Sequence, residues 1–253
     1  MRLLECKNDD EFSLTKDFVD NVPTYAILSH IWGAEEVTFQ ELIDGSGKHK
    51  AGYKKIRFCG EQAKRDDLQY FWVDTCYIDK TNSTELAKSI NSMFRWYRYA
   101  AKCYVYLSDV LQNAVNTNDA AWESAFRNSR WFTRGWTLQE LIAPTSVEFF
   151  TREERLLGDK STLERHICEI TGIPAKALRG GPLTDFSIRE RMSGMETRET
   201  TCEEDQAYSL LGIFDVCMPL IYSEGREKAL TRLTEEVYKA VINLSDLIMV
   251  RIT

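Results

Sequence analysis

The octapeptide RGWTLQEL, Arg134 to Leu141, sets an aromatic plane and a lone carboxylate about one helical turn apart. If Gly135 opens a helix, Trp136 and Glu140 stand four residues apart and share a face. Such a pair can hold a flat ring and steady positive charge developing on an attached sugar. That is what cleavage of an N-glycosidic bond needs, because its transition state resembles an oxocarbenium ion. Just upstream, Phe126 to Gly135 carries Arg127, Arg130 and Arg134 and no acid, a local positive patch that could receive phosphates. The competing reading is a core tryptophan, an ordinary solvated glutamate and arginines at a helix end. Spacing alone favours that second reading.

Two further stretches bear polar groups at the ends of apolar runs. In SHIWG, residues 29–33, Ser29 and His30 suggest a nucleophile and its base. Neighbours on a strand point to opposite faces, so the two meet only where the chain already turns. A loop whose Ser29, His30, Trp32 and Gly33 line a ligand crevice or hold a turn is the better reading. In WVDTCYIDK, residues 72–80, Asp74, Asp79 and Lys80 follow a buried run. Asp74 could orient a hydroxylated ligand or cap the next turn. Cys76 has no neighbouring base to activate it and reads as structural.

Positioning these groups falls to strands and helices in alternation. TYAILSH (24–30), LQYFWVD (68–74), KCYVYLSD (102–109) and SVEFF (146–150) are strand-length and rich in aromatic or β-branched residues. Between them lie a crossover helix over 53–66 and a clear helical period over 83–100, with Asn82 as N-cap. The alternation predicts a parallel sheet, whose ligands bind where the strands' carboxyl ends open into a crevice. The residues under suspicion are therefore Ser29 to Gly33, Asp74 to Lys80, Ser108 and Asp109. After about residue 155 the pattern changes to helices over 161–171, 201–214 and 226–244, the second opened by a Thr201–Glu204 capping box. The segment 204–225 reads as an amphipathic helix and apolar turn whose job is packing. We expect one unit over 1–253, an α/β core over about 1–155 with a helical lobe over about 156–253.

Composition narrows the classes. In 253 residues, 43% hydrophobic and 28% charged, the chain is ordinary globular protein. A net charge of −7 argues against general binding of nucleic acid or anionic membrane. Seven scattered cysteines without C-x-x-C spacing fit reduced thiols and no metal centre. The charged N-terminus lacks a signal-peptide pattern, and 207–222 is too short and too interrupted to span a bilayer, so the expectation is a cytoplasmic protein.

Taken in order, YAILSHIWG, WVDTCYIDK, RGWTLQELIAP and EDQAYSLLGIFDVCMPLIYSEG resemble the signature blocks of the fungal heterokaryon-incompatibility (HET) domain, from about residue 3 to 244. Two positions depart from the pattern: Gly194 stands where a tryptophan is common, and Ser223 where a glycine is common. HET domains are in turn similar to Toll/interleukin-1-receptor (TIR) domains. YAILSH resembles the TIR first-strand box, and GWTLQEL the TIR W-C-x-x-E-L helix, with Thr137 in place of the usual cysteine.

The resemblance implies a TIR-like (flavodoxin-like), mostly parallel sheet flanked by helices, and a death-inducing effector of non-self recognition. It further implies self-association, a nucleotide-binding oligomerisation module elsewhere in a longer protein, and no cofactor beyond NAD as a possible substrate. On the enzymatic reading Glu140 is catalytic for NAD cleavage. Ser29, His30, Trp32, Gly33, Asp74, Asp79, Arg134 and Trp136 then line the substrate site, with Arg130 an alternative to Arg134 for the pyrophosphate. The alternative is a non-catalytic module that signals through protein contacts made by the same elements.

Overall fold

The computed structural model describes residues 1–7, 12–78, 82–111 and 119–250. Seven strands form one sheet: β1 (Leu4–Cys6), β2 (Phe12–Leu14), β3 (Tyr25–His30), β4 (Tyr70–Trp72), β5 (Lys102–Tyr106), β6 (Val147–Phe150) and β7 (Leu156–Asp159). Their order is β2-β1-β4-β3-β5-β6-β7. The four predicted runs are the four central strands, and these pair in parallel. Counted among themselves they stand in the order 2-1-3-4, the doubly wound order in which a crevice opens beside the first strand. All six residues of β3 are buried, as a strand covered on both faces requires.

The sheet is more mixed than the alternation predicts. β1, β2 and β7 add antiparallel edges, and β7 lies beyond residue 155, so the sheet reaches into the expected helical part. These edge strands (LEC, FSL and LLGD) hold no β-branched residue and a single aromatic, so they lack the composition that marks the central runs.

Helices cover both faces. We number them α1 (Phe39–Ile43), α2 (Tyr53–Arg65), α3 (Asp74–Tyr77), α4 (Ser83–Tyr99), α5 (Asp119–Arg127) and α6 (Thr137–Ile142). The remainder are α7 (Glu164–Thr171), α8 (Ala175–Leu178), α9 (Ile188–Ser193), α10 (Asp205–Tyr208), α11 (Leu211–Phe214) and α12 (Arg226–Val250). On one face Phe58 of α2 packs its ring on Tyr104, Tyr106 and Phe150. On the other, Trp131 and Phe126 meet Phe149 edge-on, while Tyr25 donates to the Trp96 carbonyl of α4 at 2.5 Å. Asn82 caps α4 as predicted, accepting from the Thr84 and Glu85 amides at 3.1 Å each. Gly60 is required where α2 crosses the sheet, because a Cβ there would stand 2.4 Å from the Phe12 ring.

The Thr201–Glu204 capping box does not form, and 201–214 is two short helices, α10 and α11, rather than one. Thr201 instead accepts from Arg134, and the Glu204 carboxylate takes the Ser223 and Gly225 amides at 2.8 and 3.0 Å. Tertiary partners outbid the local cap. Ser223 itself sits at φ 78°, a left-handed conformation that a glycine adopts without strain. The buried apolar residues of sheet and C-terminal helices form one contiguous cluster. Among the described residues no helix is long and apolar enough to cross a membrane.

Candidate functional site

The centre of interest is the carboxyl end of β3, beside the point where the strand order reverses. Successive side chains there must part, and they do. Ser29 turns to the face of α4 and α6, His30 to the face of α2. The serine–histidine pair is thereby separated by the strand itself, as its pleat requires.

On the Ser29 side lies a buried carboxyl. Glu140 sits on α6, 6% exposed, and Ser29 donates to it. The indole Nε1 of Trp131 donates in turn to Ser29 Oγ at 2.8 Å. The Tyr97 hydroxyl donates to the Leu28 carbonyl at 2.9 Å and lies beside the Glu140 carboxyl, close enough to act on its charge. Burial pushes Glu140 up to about 8, helped by the negative charge of Asp74 and opposed by the Ser29 bond, the Tyr97 hydroxyl and the Arg198 charge. At neutral pH the carboxyl is therefore mainly protonated.

Both ends of α6 are pinned by buried cations. At its start Arg198 donates to the Gly194 and Arg134 carbonyls at 3.0 and 2.8 Å and to Thr137 Oγ1 at 2.7 Å. Removal from water lowers the Arg198 guanidinium to about 10, with the Glu140 charge acting the other way. At the far end Lys160 donates to the Pro144 and Leu141 carbonyls at 2.5 and 3.4 Å, the favourable place for a cation at a helix C-terminus. Its ammonium is lowered to about 8 by burial. A short parallel pairing of Arg134 with Glu199 ties the loop bearing Arg198 to the segment before α6.

On the His30 side the groups are polar, linked and closer to water. His30 Nε2 meets Asp74 Oδ1 at 3.0 Å, and Trp32 Nε1 donates to Asp74 Oδ2 at 2.7 Å. Lys55 reaches His30 Nδ1 at 3.2 Å, the Ile31 carbonyl at 2.8 Å and the Glu36 carboxylate. Glu36 also accepts from the Gly33 amide at 2.6 Å. Trp32 remains 48% exposed, an aromatic plane offered at a strand end.

Ser29, His30, Trp32, Gly33 and Asp74 are thus gathered around the end of β3, with Glu140 buried behind Ser29. Trp136 is not in that group. It stands before the first turn of α6 and donates to Asp205 at 3.1 Å, whose other oxygen takes the Tyr222 hydroxyl. The aromatic linked to Glu140 is Trp131, through Ser29. Arg134 points to Thr201 at 3.0 Å, Arg127 pairs with Glu123 and Glu169, and the Arg130 amide donates to Asp109. The three arginines therefore serve different neighbours. Asp79 and Lys80 lie outside the described residues. Cys76 is buried, its thiol raised well above the ordinary range by burial, consistent with a structural role.

Sequence reasoning missed Tyr97, Trp131, Lys55, Glu36 and Arg198. Tyr97 and Trp131 carry signals that read as core, since aromatic residues at helical spacing or beside a phenylalanine are core more often than not. Arg198 lies in METRET, 58 positions past Glu140, where no local pattern marks it.

Residues 25–123 match the model of a family described as Heterokaryon incompatibility protein (HET). Over 251 residues the chain is 59% identical to Vegetative incompatibility protein HET-E-1 of Podospora anserina. The chain belongs to the HET family. The alignment with that relative covers 98% of this HET chain and 18% of the relative, so the chain spans under a fifth of the protein it resembles. The family model covers Ser29, His30, Asp74 and Tyr97 of the candidate site, whereas Trp131, Glu140 and Arg198 fall beyond residue 123. No solved structure matches the chain.

Proposed function

We propose that this HET domain is a cytoplasmic death-inducing effector of fungal non-self recognition that cleaves NAD when clustered. The incompatibility role is supported by the relative's name and the 59% identity. A TIR-like core is supported by the 2-1-3-4 order of the parallel strands, by YAILSH on β3 and by GWTLQEL on α6. The reading takes residues 1–253 as one HET domain, with self-association and a nucleotide-binding oligomerisation module supplied by the longer protein.

The observation that carries the enzymatic reading is a desolvated Glu140 buried behind Ser29 at the carboxyl end of β3, held up to about 8. Structural carboxylates gain little from such a position, whereas catalytic ones use it. A cationic nicotinamide riboside brought to the strand end would pull the Glu140 pKa down, as an opposite charge does. The carboxylate so formed would steady the ribosyl cation as the C–N bond breaks and nicotinamide leaves with the bonding pair. Water then adds to the sugar carbon and releases a proton. In a dry site that attraction is worth far more than in water. Trp32 would cover the base and Asp74 meet ribose hydroxyls, while Ser29 and Tyr97 hold the carboxylate.

One observation favours the second reading, a non-catalytic signalling module. Glu140 is nearly sealed in the free chain, with its carboxyl already bonded. Clustering would have to open it, and proximity supplied by an oligomer is the economical way to do so. The deciding experiment is nicotinamide release from NAD by artificially oligomerised chain. We expect turnover by wild type and a loss of at least a hundredfold in Glu140→Gln, which keeps the shape. Equal release from both, or none from either, overturns the enzymatic reading.

A further inference from the structure

We propose that the chain has a second site, a binding cavity for a small apolar carboxylate, on the side of α6 turned away from Glu140. This inference rests on the cavity and its lining, not on the function proposed above. The cavity has a volume of about 300 Å3, the lower end of the range of small-molecule sites. Its lining is mainly apolar, with Leu138 and Ile142 of α6, Ile173 and Ala177 from the α7–α8 region, Phe186 before α9 and Ile213 of α11, while Glu190, Arg191 and Glu196 add charged groups. Leu138 and Ile142 are four apart and share one face of α6, whereas Glu140 falls on the other. Elements from four parts of the chain converge, so the space is a built pocket rather than a surface dent.

Apolar walls alone would not name an occupant. The second observation is Arg191, which lines the cavity and whose Nε is buried without a hydrogen-bond partner. The guanidinium reaches the Ile213 carbonyl at a long 3.5 Å and lies 4.5 Å over the Phe214 ring. Among the described residues no carboxylate comes within ion-pair distance of it. The adjacent Glu190 is engaged elsewhere, closing a capping box with Ser187 at 2.8 and 2.7 Å. Burying a donor of a charged group with no acceptor is costly, and a ligand carboxylate restores what is missing. An apolar body with one anionic head therefore satisfies both halves of the site. Roughly a dozen non-hydrogen atoms fit the volume, taking about 20–30 Å3 each.

Gly194 offers the means of closing the space. It lines the cavity at an ordinary helical φ of −58°, and a Cβ there would stand 3.1–3.2 Å from the Leu138 methyls, which are flexible enough to give. A tryptophan, common at this place in the family pattern, would occupy volume that the glycine leaves empty.

The test uses the whole 253-residue chain with two probes of equal length, 4-phenylbutyrate and the uncharged 4-phenylbutanol, by titration calorimetry. We expect saturable binding of phenylbutyrate and weaker binding of the alcohol. Arg191→Gln should weaken the acid at least tenfold and leave the alcohol unchanged. Gly194→Trp, if its melting curve shows a folded protein, should abolish both; if it does not fold, Arg191→Gln decides alone. The proposal is overturned if phenylbutyrate does not bind saturably. It is equally overturned if Arg191→Gln affects acid and alcohol alike, or if folded Gly194→Trp binds as wild type does.

Discussion

Ser29 and His30 are adjacent in the chain, yet the two groups they serve are physically opposite. Ser29 belongs to a dry cluster with Glu140, Trp131 and Tyr97, in which a single ionisable carboxyl is kept mainly neutral by burial. His30 belongs to a wetter chain of partners, Asp74, Lys55, Glu36 and Trp32, in which opposite charges face one another. One strand pleat delivers the same stretch of sequence into two dielectrics. The dry side can store a pKa shift, and the wet side can present charges and an aromatic plane to a ligand. The polar groups around a site therefore have to be sorted by the face of the strand they occupy, not by their distance along the chain.

The sharpest break is Glu140→Gln, with stability followed by urea unfolding from pH 4 to pH 9. The carboxyl in the folded chain titrates near 8, above its unfolded value near 4.5. A raised folded pKa contributes stability fully below the unfolded value and loses it as pH climbs through the folded one. Between those limits the folded chain holds a proton that the unfolded chain has released, so wild type should lose about 1.4 kcal/mol per pH unit relative to Glu140→Gln. A flat difference across that window would mean that Glu140 is hydrated and charged, and the contrast between the two faces would collapse. Second in size is Ser29→Ala. It strips the acceptor from the buried Trp131 indole, at about 1–3 kcal/mol for an orphaned donor, and it should raise the Glu140 pKa further because Ser29 stabilises the charged form. Removing the other indole bond, in Trp32→Phe, should cost within about 0.5 kcal/mol, since water replaces it. Thermal unfolding at pH 6 compares them, and equal losses would erase the distinction.

Legibility in the sequence follows the same division. The four central strands, α2 and α4 with its Asn82 cap were readable because the strands lie in runs rich in aromatic and β-branched residues and the helices repeat their period, so each follows local rules. The three-residue β1 and β2 were not, because pairing with neighbours rather than any local pattern makes them strands. The Thr201–Glu204 box was legible and misleading, for Arg134 and the 223–225 turn compete for the same two side chains. Within the site, Ser29, His30, Trp32, Gly33 and Asp74 could be grouped because the ends of parallel strands must lie together. Pairing Glu140 with Trp136 followed from helical spacing, but Trp136 stands before the first turn and swings to Asp205. That Arg198 reaches back across 64 residues to the Arg134 carbonyl and 61 to Thr137 is decided by tertiary packing, which no short motif encodes.

A last substitution probes whether the two faces are independent at all. Asp74 lies on the wet side, bonded to His30 and Trp32, yet its charge is the second cause, after burial, of the raised Glu140 pKa. Asp74→Asn removes that charge while keeping an oxygen for the Trp32 indole and an amide for His30. The Glu140 pKa should fall, and the pH range over which the folded chain loses stability should end at a lower pH. The stability cost itself should be about 0.5–1.5 kcal/mol, the worth of a partly exposed hydrogen bond. Carbon-detected NMR of a chain labelled at glutamate side-chain carboxyls reads the titration directly, with Glu140→Gln assigning the signal. A fall in midpoint makes the dry carboxyl respond to what binds at Asp74: a cation settling against the wet cluster would then bias Glu140 toward its charged form before any atom of the dry cluster moved. An unmoved midpoint would make the pleat of β3 a complete electrostatic partition, and the enzymatic reading would lose the means by which an arriving substrate charges its own catalyst.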